Sequence, residues 1–443
     1  MKAGPIHGPV NKGGTAISTP LAADLFCCKG RFYYVFQSCR GINPPADQAN
    51  NRRDDRDMFL DQTYLFTPGP TPIPNRVNAA MAQPMIGHRS PDFSALFEDV
   101  ANRLKPVFGT THPVLALTSS GTSALEAAVV NTVSEGDEAV VIVAGSFGDR
   151  LASIAEKYGV HVHRLNIEWG KACAPDQLET FLDGLAGTQI KAVFATFNET
   201  STGVLNPIHE LGEVVGCRTD ALFIVDGVSC IGAVPVDMAA DRIDLLVTSS
   251  QKALMLPPGL AFVAFSDRGL RAIQECTAPR FYLDLNRYAA SFEKQKSTPF
   301  TPAVSLLAGA REVCTMIEEE GWENVIRRHR LLRDMIRAGI RELGLPLLTS
   351  EADASPTVTA VKPEQIAAPD IQKALKKDFS ITIAGGQKKL KGKIFRIGHM
   401  GYCTPFDVLK VLTALELTLA KFGAEPRLGA AVKKAEEVWM KNA

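Results

Sequence analysis

Three short stretches of the chain place reactive side chains at the ends of apolar runs. In "TSSQKALMLPPG", residues 248–259, Lys252 stands among small and apolar residues. In "LFIVDGVS" four apolar residues run straight into Asp226. In "SSGTSALEAA", Ser119, Ser120, Gly121 and Thr122 precede a helix-forming stretch. A lysine partly withdrawn from water has a lowered pKa and becomes a nucleophile suited to Schiff-base formation. A carboxylate at a buried strand end needs a partner, and a cationic ring nitrogen is one. Unpaired amides at a helix N-terminus favour an anion such as a phosphate, which Gly121 lets the backbone approach. Taken singly, each feature is also compatible with a surface lysine, a turn cap or a helix cap. Together they offer one partner each to the aldehyde, the pyridine nitrogen and the phosphate of pyridoxal 5′-phosphate.

The elements that must position these residues alternate. "PVLALTSSG", "DEAVVIVAG", "VHVHRLNI", "IKAVFATFNE", "ALFIVDGVS" and "DLLVTSSQK" read as strands, and helix-forming segments separate most of them. Continuous apolar strands in such units predict an α/β fold with a largely parallel sheet covered on both faces. "GLAFVAFS" reads as a returning strand, either parallel or antiparallel. In open sheets of this kind ligands bind outside the carboxyl ends of the strands, where Asp226 and Lys252 are expected. Farther on, the helical "NVIRRHRLLRDMIRAGIREL" and the short strands around "PTVTAVK" and "KIFRIGH" predict a smaller α+β domain. The expected organisation is a large domain over residues 58–315 and a small one over 316–443. Residues 1–57, Gly- and Pro-rich at first and then polar and charged, are expected to be a disordered or non-native extension.

Composition narrows the function. The chain has 443 residues with 48 basic and 48 acidic side chains, so no global field draws it to nucleic acid or an anionic membrane. Its apolar runs fall short of the ~20 residues that span a bilayer. Nine cysteines without a CxxC pair fit reduced thiols, and with no peroxisomal ending the expected location is the cytoplasm. "HVH" at 161–163 offers two histidines on one strand face, either as metal ligands or as a partly exposed edge. No metal is expected.

The motifs resemble those of class V, fold type I, aminotransferases, nearest to the alanine–glyoxylate and serine–glyoxylate types. The resemblance rests on "FTPGPTPIPNRV", "SSGTSALEAA", "NETSTGVLNPI", "IVDGVSCIGAVPVDM", "SSQKALMLPPGLAFVAFS", "TPFTPAVSLL" and "KIFRIGHMG". It implies a large domain built on a seven-stranded type of sheet. It implies that Lys252 carries the cofactor as a Schiff base and that Asp226 holds the pyridinium proton. Ser120, Gly121, Thr122 and Gln251 would contact the phosphate, Phe147 in "AGSFGDR" would stack on the ring, and Thr200 would lie on its 3′-oxygen side. Thr298 and Thr301 would reach the phosphate site of a second subunit, which requires a homodimer. Arg396 would grip the substrate carboxylate with paired hydrogen bonds, and Gly69 would line the substrate pocket. His88 would either face the mouth of the site or be structural.

The activity so implied is ping-pong transamination between alanine or serine and glyoxylate or pyruvate. With no second arginine noted in the matched motifs, aspartate and glutamate are expected to be poor donors. Related alternatives are a ureidoglycine–glyoxylate or aminophosphonate aminotransferase, and a lyase or desulfurase using a cysteine such as Cys403. A non-enzymatic α/β binding protein would have no reason to keep this set of residues together.

Overall fold

The computed structural model describes residues 63–442; the extension assigned to residues 1–57 lies outside them. A seven-stranded sheet forms the centre. Its spatial order is Leu115–Leu117, Ala261–Phe265, Leu245–Ser249, Leu222–Asp226, Ile190–Thr196, Glu138–Val143 and His161–Asn166. The last five of these run parallel. Ala261–Phe265, the returning strand, is antiparallel to both of its neighbours. Every residue of Leu222–Asp226, Leu245–Ser249 and Ala261–Phe265 is buried. Strands covered on both faces have no solvent side, which is why these read as unbroken apolar runs.

The edge strand His161–Asn166 is mostly half-exposed and polar. Its two histidines both turn to Glu138 on the adjacent strand, His161 Nδ1 at 2.9 Å and His163 Nε2 at 2.7 Å. One carboxylate thus bridges the pair. Among the described residues there is no group of three or more His, Cys, Asp or Glu side chains able to hold a metal ion.

A smaller C-terminal domain carries a four-stranded sheet in the order Tyr64–Phe66, Ile381–Gly385, Phe395–Gly398, Val358–Val361. Its core joins Leu332, Ile336, Phe395, Leu412 and Leu415, with Phe66 contributed from far upstream. Tyr64–Phe66 pairs in parallel with Ile381–Gly385. The segment leaving that strand then reaches Gly69, so one short stretch joins this sheet to the ends of the central one.

Helix Trp322–Glu342 fixes the approach from the other side. Arg328 donates to the carbonyls of Gly401 at 2.8 Å and Cys403 at 3.1 Å, and the Gly401 amide donates to His329 Nε2 at 3.0 Å. Gly401 packs so closely on Lys252 that an added β-carbon would lie 3.0 Å from the lysine carbonyl oxygen. Among the described residues no helix is long and apolar enough to cross a membrane.

Candidate active site

Asp226 ends strand Leu222–Asp226, in register with Thr196 on one side and Val247 on the other. Lys252 follows strand Leu245–Ser249 by a tight turn rather than standing on the strand itself. That turn is held by the Thr71 hydroxyl, which donates to the Lys252 carbonyl at 3.0 Å, and by the Met255 amide at the same distance. Lys252 Nζ donates to the carbonyl of Pro68. Burial above all, and then the guanidinium of Arg396, pushes the amine down to about 8, against the pull of Asp226. Asp226 is 3% exposed, and one of its oxygens accepts from the Val228 amide at 2.9 Å. Burial raises its carboxyl to about 7 despite that hydrogen bond. A depressed amine and a raised acid therefore face one cavity, a pattern that marks reactive sites.

The cavity, of about 150 Å³, is lined by Ser120, Gly121, Thr122, Phe147, Thr200, Asp226, Gln251 and Lys252 among others. Eight of the expected site residues thus meet in one place. Ser120 is the N-cap of helix Gly121–Val130 and accepts from the Ser123 amide at 3.3 Å. A β-carbon at Gly121 would lie 3.1 Å from the Ser249 and Val228 side chains, so only glycine keeps this cradle open without displacing them. Thr200 is buried and donates to the Ser229 hydroxyl at 2.6 Å.

Arg396, 5% exposed on strand Phe395–Gly398, reaches the site from the smaller domain. Its Nε and Nη2 donate to the Gly385 carbonyl at 2.9 and 2.7 Å, and its Nη1 donates to the Thr200 carbonyl at 2.8 Å. Gly69 packs directly on the end of the Lys252 side chain. Thr298, Thr301 and His88 do not line the cavity. Thr298 is buried, with its hydroxyl on the Phe300 carbonyl at 2.7 Å, and Thr301 is exposed.

Three further residues belong here that the sequence reading passed over. Asn198 lines the cavity and donates to Ser229 and Thr357 at 2.7 and 3.0 Å. Glu199, fully buried, accepts hydrogen bonds at the start of the helix that carries Phe147. Arg150 lines the cavity too, a second arginine outside the motifs that carry the resemblance. The signal was present in "AGSFGDR": one helical turn after Phe147 puts Arg150 on the same face. Its guanidinium carbon lies 4.9 Å from the Phe147 ring centroid, and Nη1 donates to Thr122 Oγ1 at 3.4 Å.

The residues present fit pyridoxal 5′-phosphate. Asn198 Oδ1 and Gln251 Oε1 are buried at the cavity with no hydrogen-bond partner, and Ser119 Oγ beside it is equally unpaired. Such groups call for a polar ligand. Ser120, Gly121, Thr122 and Gln251 would hold its phosphate, Asp226 its ring nitrogen and Lys252 its carbonyl carbon.

Known proteins share this fold. The family profile described as aminotransferase class-V matches residues 63–403. The chain is 41% identical to a protein of Synechococcus named the small subunit of a soluble hydrogenase, over 82% of this chain and 94% of that one. It is 34% identical to the L-aspartate–glyoxylate aminotransferase of Paracoccus denitrificans, over 85% and 96% of the two chains. It is 33% identical to the serine–glyoxylate aminotransferase of Methylorubrum extorquens, over 86% and 97%. The solved structure of an alanine–glyoxylate aminotransferase from Nostoc superposes with a TM-score of 0.77 at 30% identity, over 81% of this chain and 95% of that one. With this fold and this cavity, the chain belongs to the class-V aminotransferases and works with pyridoxal 5′-phosphate.

Proposed function

We propose that this aminotransferase moves the amino group of a small amino acid, alanine or serine, to a small 2-oxo acid, glyoxylate or pyruvate. The two half-reactions share one site in a cytoplasmic homodimer. The observation that carries the reading is the state of Arg396. A guanidinium has five N–H donors. Three of them go to main-chain carbonyls, leaving one on each Nη. Among the described residues Arg396 forms no ion pair, so a buried cation and a two-pronged donor remain for a substrate carboxylate.

When bound, pyridoxal 5′-phosphate supplies the carbon that takes the amino group and the ring that draws electrons from the substrate Cα. The chain does the rest. Arg396 holds the carboxylate, which orients the Cα–H bond. Lys252, with its amine pushed down to about 8, is neutral often enough to take the Cα proton and hand it back. Asp226 holds a proton at the ring nitrogen. Burial of both groups keeps water from competing with these transfers.

Substrate size follows from where the second arginine points. Arg150 is engaged by Thr122 and the Phe147 ring, on the side of the phosphate cradle. Arg396 contacts Thr200 on another element. An acidic side chain would meet no arginine set aside for it, and an unpaired charge there costs several kcal/mol. Serine–glyoxylate and alanine–glyoxylate aminotransferases among the relatives support this choice, whereas the L-aspartate–glyoxylate aminotransferase among them is named for an acidic donor. Desulfurase chemistry is disfavoured because Cys403 is buried and its thiol pushed up to about 12 by that burial.

A second copy of the chain would bring Thr298 and Thr301 to the phosphate. Phe281, 68% exposed, lies tilted against Phe300 in the same segment with ring centroids 5.6 Å apart, and Tyr282 stacks on Phe300 at 5.1 Å. Such an aromatic surface suits an interface. All six cysteines among the described residues are free thiols, as a reducing compartment maintains.

A screen of amino acids against the holoenzyme, following the visible band of the bound cofactor, tests the function. Alanine or serine should react fastest, with glyoxylate or pyruvate restoring the band. Faster reaction with aspartate or glutamate would overturn the small-substrate reading. Preference for ureidoglycine or an aminophosphonate would move the enzyme elsewhere in its class.

A further inference from the structure

Glu199 is fully buried yet forms no ion pair among the described residues. Its two oxygens accept from four donors instead. Donors are the amides of Phe147 at 3.0 Å, Gly148 at 3.1 Å and Ser201 at 3.1 Å, and the Ser201 hydroxyl at 2.5 Å. Every one of these is donated to the carboxyl. The three amides can only donate, so they fix the carboxyl with its lone pairs turned toward them. Burial outweighs these hydrogen bonds and raises the carboxyl above the usual carboxylate range.

The partners of that carboxyl are specific. Helix Ser146–Lys157 begins after Gly145, which supplies no side-chain cap. Its first amide donates to Ser201 Oγ at 2.9 Å, and the next two donate to Glu199. The helix N-terminus is therefore capped from the distant "NETS" loop. Gly145 is what allows the approach, since a β-carbon there would lie 2.4 Å from Glu199 Cδ. Two of the three amides held belong to Phe147 and its neighbour, and Phe147 lines the cofactor cavity. Asn198 and Thr200, on either side of Glu199, line it as well.

We propose that Glu199 is a positioning residue, which pins the backbone of Phe147 and so fixes its ring as the platform for the cofactor. The proposal rests on the reading of this cavity as the pyridoxal-phosphate site. It makes the loop Asn198–Ser201 and the first turn of helix Ser146–Lys157 one unit, in which a carboxyl with no contact to substrate sets the position of an aromatic ring.

A double-mutant cycle on the full-length apoprotein tests it, with the Kd for pyridoxal 5′-phosphate measured by absorbance. Glu199→Gln keeps the size but turns an NH2 group toward amides that need an acceptor. It should weaken binding about tenfold or more, and by less than about threefold once Phe147→Ala has removed the ring. A general structural role would cost the same factor in both backgrounds, and that result, or an unchanged Kd in Glu199→Gln, overturns the proposal. Amide hydrogen exchange of the unaltered protein supplies an independent check should Glu199→Gln fail to fold. Slow exchange at Phe147 and Gly148 is expected, and exchange at the rate of a free helix end contradicts it. An unaltered apoprotein that binds no pyridoxal 5′-phosphate would instead strike the cofactor reading itself, and this proposal with it.

Discussion

A β-carbon added to Gly69 would sit 2.6 Å from Lys252 Nζ, because the glycine backbone is pressed against the end of the lysine side chain. Gly69 also has φ of +113°, a region that side-chain-bearing residues rarely adopt. Gly69→Ala should therefore displace the amine and strain the backbone by about 1–3 kcal/mol. The expected outcome is a fall in kcat of roughly tenfold or more, with a lowered melting temperature. Steady-state kinetics beside thermal unfolding checks both, and an unchanged kcat would show that the contact does not hold Lys252.

Arg396→Lys keeps a positive charge and loses the two-pronged donor. It should lower kcat/KM for alanine by about 100-fold, close to 2.7 kcal/mol of transition-state binding. KM should rise for donor and acceptor alike, since both present a carboxylate to the same side chain. Retention of most of the efficiency by lysine would mean that charge alone suffices.

Asp226 gives the apoprotein a distinctive pH dependence. Burial lifts its carboxyl from the usual carboxylate range to about 7. The folded state thus binds a proton more tightly than the unfolded chain. Its contribution to stability is full below about pH 4 and is lost as pH rises through 7, by a few kcal/mol at most. Asp226→Asn removes this component. Thermal unfolding of the two apoproteins between pH 4 and 8 should show the unaltered protein losing stability relative to the variant as pH rises. Parallel curves would contradict the raised carboxyl.

Much of the fold was legible in the sequence, for a physical reason. Strands such as Leu222–Asp226 and Ala261–Phe265 are buried on both faces and so read as apolar runs ending in a polar residue. Asp226 and the Ser120–Gly121–Thr122 helix start were visible as those endings. What was hidden depends on contacts distant in sequence. Tyr64–Phe66 gains its place only by pairing with Ile381–Ile383. Glu199 looks like a polar loop residue until the helix start it caps is brought to it, and Gly145, where a capping side chain might have stood, gave no hint. Arg150 was legible one turn beyond Phe147, but its contact with Thr122 spans 28 positions of sequence.

The aromatic surface around Phe281 makes the assembly testable. Phe281→Asp adds a charge at a position 68% exposed in one chain, so it should cost the fold little. Across an interface the same charge would be buried. Sedimentation should show the unaltered protein as at least a dimer and the variant shifted toward monomer, with cofactor held more weakly. A fully active monomer would remove Thr298 and Thr301 from any shared site.

Borohydride reduction of the holoenzyme followed by peptide mapping identifies the lysine that carries the cofactor. Reduction should fix pyridoxal 5′-phosphate irreversibly onto Lys252, and Lys252→Ala should fold, take up no covalent label there and lose turnover. A reduced adduct on any other lysine of the active protein, or turnover that survives in Lys252→Ala, would contradict the account.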